Sequence, residues 1–187
     1  METTVSNEEY NKLVKKIEFF ETTRNSLLTF SFTAVLTVIG VALAMDMNVI
    51  SAWICLLPFF LIIPFAARIS YYRLATAHIG AFLKCFAPQN MQFEIGADFV
   101  KEGNCRFYTL TAWLITHEMG LLGIAVSFVF YLKYIPSVEK WNVYWIIGLF
   151  VPIILSGIVY MIAESTYNYG KVKKNFEKQW DVYRTSL

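Results

Sequence analysis

Charge is what this sequence has least of. Asp, Glu, Lys and Arg make up 16% of its 187 residues, against 57% hydrophobic and 17% aromatic. Ordinary soluble domains carry about 25% charged residues, so this composition excludes a routine soluble fold. Histidine is limited to His78 and His117. His117-Glu118-Met119-Gly120-Leu121 opens like the HExxH zinc motif, but Leu121 stands where the second ligand belongs. Three cysteines, Cys55, Cys85 and Cys105, show no CxxC or other metal spacing, and their odd number argues against a disulfide framework. Neither a Gly-rich phosphate loop nor a GxSxG elbow occurs. The chain is therefore read as a non-enzyme, with no catalytic residue, no metal site and no cofactor.

Long apolar runs take the place of those motifs. Asn25 to Met45 is free of charge for 21 residues between Arg24 and Asp46. At about 1.5 Å per residue it makes roughly 32 Å of helix, against a hydrocarbon core of about 30 Å. Met47 to Ala67, between Asp46 and Arg68, is a second such run, and Pro58 and Pro64 are expected to bend it. A third run lies between Arg106 and Lys133, with its inner boundary near Trp113, which puts His117 and Glu118 about one turn inside the membrane. Trp141 to Ala163 is the fourth, with Pro152 near its middle. Ala42-Leu43-Ala44 looks like a signal-peptide cleavage site, but the run before it is too long for an h-region and follows a charged segment. An uncleaved anchor is expected.

The segments between the runs supply the topology. Ser6-Asn7-Glu8-Glu9 is a capping box that starts an amphipathic helix over residues 1–24. Residues 25–67 form a first transmembrane hairpin, turned at Asp46-Met47-Asn48. Residues 68–106 are a helical insert in which the second span continues as far as Pro88, followed by a loop. Residues 107–163 form a second hairpin, and 164–187 a basic-aromatic tail helix. All of the sixteen Lys and Arg except Lys133 and Lys140 fall on the side of the two termini and the middle segment. By the positive-inside rule that side is cytoplasmic, and Trp53, Tyr134, Trp141 and Trp145 form an outer aromatic belt. The expected fold is an all-α membrane protein with four transmembrane helices, both termini in the cytoplasm, and little outside.

Three sets of residues carry functional expectations. Thr22, Ser26, Thr29, Thr33, Thr37, Gly40 and Ala44 follow one another at spacings of 4, 3, 4, 4, 3 and 4, which places them on one narrow face of the first span. Such a stripe either packs against another helix or lines water, and in the second case Ser26, Thr29, Thr33, Thr37 and Gly40 are pore-lining. Four spans are too few to enclose a path, so a pore requires several copies, for instance a tetramer. Glu118 and Glu164 sit at the inner level, where they either pair with a cation such as Arg68 or form an inner mouth that favours cations. Arg73, Lys84, Lys171, Lys173, Lys174 and Trp180 combine cations with aromatic faces. They suit a nucleotide or single-stranded oligonucleotide, or else anionic lipid.

This plan, with Arg68-Ile69-Ser70-Tyr71-Tyr72-Arg73 and the Thr-rich first span, resembles the small multi-pass membrane effectors of bacterial anti-phage operons. It is most similar to the transmembrane effector of the Hailong system. The resemblance implies a homo-oligomeric channel of the bacterial inner membrane. It also implies gating by a nucleic-acid signal from a partner nucleotidyltransferase, and arrest or killing of the infected cell by depolarisation. The alternatives are a non-conducting scaffold that recruits a cytoplasmic partner, and a small proton-coupled transporter using Glu118 and His117.

Overall fold

A computed structural model describes residues 5–87, 106–138, 143–164 and 169–186, and among these every regular element is a helix. The chain runs through α1 (Asn7–Ala44), α2 (Val49–Ile54), α3 (Phe59–Phe86), α4 (Arg106–Ser137), α5 (Val143–Glu164) and α6 (Tyr169–Ser186). Four stretches are long and apolar enough to cross a membrane: Asn7–Ala44, Val49–Phe86, His117–Ser137 and Val143–Ala163. This is a multi-pass membrane architecture.

α1 begins where the cap demands. The Ser6 hydroxyl accepts a hydrogen bond from the Glu9 amide at 3.2 Å, and Glu8 and Glu9 place negative charge in the first turn, where the helix dipole favours it. The amphipathic segment and the first span form one helix of 38 residues, about 57 Å long at the standard rise. It packs through Phe20, Ser31, Val35 and Ala42.

The second apolar run stays one stretch, Val49–Phe86, and its hydrogen-bond pattern tightens where Pro58 enters it. Asn48 and Ser51 cap α2 reciprocally, with the Ser51 amide donating to the Asn48 side chain at 2.7 Å. Pro58 has no amide hydrogen, and its ring crowds the carbonyl four residues back. That carbonyl, on Ile54, instead accepts from the Leu57 amide at 3.1 Å, inside a tightened turn over residues 55–58. α3 then carries Pro64 without a break and continues to Phe86. The expected loop over residues 88–104 lies outside the described residues, as do Cys105, Lys140 and Trp141.

The core sits between α1, α3, α4 and α5 around Val35, Phe59, Ile62, Val126, Phe130, Tyr134 and Val159. α4 and α5 meet through small residues. A Cβ on Gly123 would come within 3.4 Å of the Phe59 ring, and one on Gly148 would overlap the Tyr134 ring. Tyr134, a member of the expected outer aromatic belt, is fully buried within the chain, and its hydroxyl donates to the Tyr144 carbonyl. Around Pro152 the hairpin is knit by side chains. Tyr131 donates to the Leu149 carbonyl at 2.6 Å, and Ser127 lies 2.8 Å from Ser156 and donates to the Pro152 carbonyl at 3.2 Å. Hydroxyls here tie α4 to the backbone of α5 on both sides of its proline.

Candidate functional site

The hydroxyl stripe of α1 lies entirely on the outside. Thr22, Ser26, Thr29, Thr33, Thr37, Gly40 and Ala44 are all exposed, while the opposite side of the helix holds the core contacts. Four of its hydroxyls are turned back on their own helix. Ser26 donates to the Thr22 carbonyl at 2.9 Å and Thr29 to that of Asn25 at 3.1 Å. Thr33 donates to Thr29 at 2.9 Å and Thr37 to Thr33 at 2.8 Å. The donors are thus satisfied, and the oxygens keep lone pairs facing outward. A shallow groove lined by Thr22, Asn25, Ser26, Thr29, Phe30 and Thr33 runs along this face. A Cβ on Gly40 would meet nothing within 4 Å. Among the described residues no helix of the same chain packs on the stripe.

Glu118 meets Arg73, not Arg68. The Arg73 guanidinium donates to the Glu118 carboxylate at 2.9 Å; Arg73 is buried and Glu118 half-buried. Arg68 is exposed. A separation of five positions amounts to about 1.4 helical turns, so the two arginines project in different directions. Packing of α3 against its neighbours decides which one turns inward. Arg24 of α1 is close enough to act electrostatically on both members of the pair, so the carboxylate is faced by two cations. His117, beside it, is packed against Trp113 and stacked parallel to the Tyr160 ring at 5.7 Å. Glu164 ends α5, and its side chain lies outside the described residues.

The proposed ligand contacts are divided rather than gathered. Arg73 is held in the pair with Glu118. Lys84 bonds Glu177 of α6 at 3.1 Å. Trp180 stacks on His78 at 5.3 Å and meets Phe82 and Phe86 edge-on, which fastens α6 along the end of α3. Arg184 completes this seam by donating to the Cys85 carbonyl at 3.1 Å, one of the carbonyls α3 leaves open at its C-terminus. Lys171 and Lys174 remain exposed on α6, and Lys173 is half-buried. The six residues do not form one pocket.

One contact was not among the sequence expectations. Lys133, a residue expected at the outer surface, is buried at the far end of α4. It donates to the Ala42 carbonyl and, at 2.8 Å, to that of Met45. A cation at a helix C-terminus satisfies open carbonyls and the negative end of the dipole together. The available signal was a lone lysine closing a long apolar run. A second unforeseen feature is an apolar cleft of about 540 Å³ beside the Pro58 turn, lined by Trp53, Leu57, Phe60, Pro64 and Val151 among others.

Compared with protein-family models, curated proteins and solved structures, the chain matches none.

Proposed function

We propose that this chain is one subunit of a homo-oligomeric ion channel, with Ser26, Thr29, Thr33, Thr37 and Gly40 of α1 along the conducting path. One observation carries the reading: the most polar face of an apolar span is exposed along its length, whereas the exposed residues of the other spans include Phe60, Ile124, Phe128, Phe150 and Ile154. In a bilayer a face of this kind favours water or a partner over lipid tails. A single subunit encloses no path, so copies share one about a common axis. The positive-inside distribution puts both termini, the end of α3 and all of α6 in the cytoplasm. The carboxylate of Glu118 is neutralised by Arg73 and faced by Arg24, so it supplies no preference for cations.

The bacterial inner membrane, the anti-phage role and the nucleotidyltransferase partner rest on the resemblance of layout. Of the residues proposed to sense a nucleotide or oligonucleotide, Lys171 and Lys174 are the ones left exposed, on the cytoplasmic α6. A second reading, a non-conducting scaffold, is favoured by a different observation: the stripe's hydroxyls already bond their own helix and need no water. Planar bilayers separate the two. The channel passes voltage-driven current that Thr33→Leu alters, and purified protein that stays silent across lipid compositions would sink it.

A further inference from the structure

The register of the stripe does not begin at Thr22. Carried toward the start of α1, it continues through Glu18, Lys15 and Asn11, all of them exposed. The whole face then reads Asn11, Lys15, Glu18; Thr22, Ser26, Thr29; Thr33, Thr37, Gly40; and Ala44. Each group repeats spacings of 4 and 3, and each starts eleven residues after the one before. A period of eleven corresponds to about 3.67 residues per turn and sets a right-handed supercoil, whereas a period of seven sets a left-handed one. Among the described residues no other element covers this face, which is about 50 Å long at the standard rise.

We infer that the occupant of this face is α1 of further copies of the chain, gathered in parallel around one axis with a right-handed twist. The inference deepens the channel reading and rests on it for the axis being aqueous. Charge complementarity selects a second copy over lipid. Lys15 and Glu18 are three residues apart on the face, both exposed, and among the described residues neither is held in an ion pair. Copies inserted in the same direction bring Lys15 of one beside Glu18 of the next, once for each neighbouring pair. At the other end Gly40 and Ala44 present no bulk, so the helix backbones converge there as small residues allow.

Cross-linking tests the period directly. Single-cysteine variants are placed in a background in which Cys55, Cys85 and Cys105 are alanine, reconstituted in phospholipid vesicles and treated with a short bis-maleimide. Thr37→Cys and Ala44→Cys link copies, whereas Leu36→Cys and Leu43→Cys, exposed at 65% and 53% in the single chain, do not. A seven-residue seam reverses that order and overturns the inference, as does an absence of links at all four positions. With the native cysteines kept, Lys15→Glu loses the oligomer on size-exclusion chromatography and Lys15→Glu with Glu18→Lys regains it. An oligomer unmoved by the single change also overturns the inference. Current measured on the same vesicles keeps the two ideas apart. Eleven-residue links without current leave the seam standing and remove the channel, and current without those links removes the seam alone.

Discussion

α4 and α1 are both apolar spans, yet α4 hides 50% of its most apolar window inside the chain and α1 only 17%. The contrast extends to their polar groups. On α4, Glu118 reaches Arg73, Ser127 reaches Ser156, Tyr131 reaches the Leu149 carbonyl and Lys133 reaches the end of α1. On α1, the hydroxyls of Ser26, Thr29, Thr33 and Thr37 reach only the helix they belong to. One span uses its polar atoms to hold the subunit together. The other spends none of those four hydroxyls on tertiary structure.

The contrast breaks most severely at the buried ion pair. Removing one partner leaves the other short of its counter-charge, so Glu118→Ala or Arg73→Ala costs at most about 3 to 5 kcal/mol, the figure for a fully buried pair, whereas replacing both with Met is milder. Reversible unfolding in mixed micelles measures this, and a single variant as stable as the wild type would show that the pair does not hold α4 to α3. A smaller effect is expected at Gly148, where an added Cβ runs into the Tyr134 ring. Gly148→Ala costs about 1 to 3 kcal/mol, and Tyr134→Leu in the same chain recovers part of it. If the double variant is no better than Gly148→Ala, close approach is not the reason for the glycine. The smallest effect belongs to α1: Thr33→Val shifts the subunit's own unfolding by less than about 0.5 kcal/mol, as surface changes do. A large loss there would mean that the stripe does serve the subunit's fold, and the contrast between the spans would close.

Much of the architecture was legible because hydrophobic runs and charge boundaries are local signals. Arg24, Asp46 and Arg68 bracket the first two apolar runs, Ser6 marks the start of α1, and Pro88 follows the end of α3 closely. The stripe was legible for the same reason, since periodicity along one helix needs no knowledge of its neighbours. What surrounds a helix is not local. Whether Arg68 or Arg73 faces Glu118 depends on how α3 is rotated about its axis, which is set by packing spread over the whole bundle. The depth of Tyr134 depends likewise on a glycine fourteen residues later that opens room for its ring. Pro58 was visible as a disturbance, but the form it takes, a tightened turn over residues 55–58, is decided by the bonds that turn can make.

Lys133 is a clasp between the two halves of the chain. The last carbonyls of α1 are closed by a side chain 91 residues further along the chain from Ala42. The first hairpin therefore does not contain every group that finishes its own helix end, and the two halves are complete there only together.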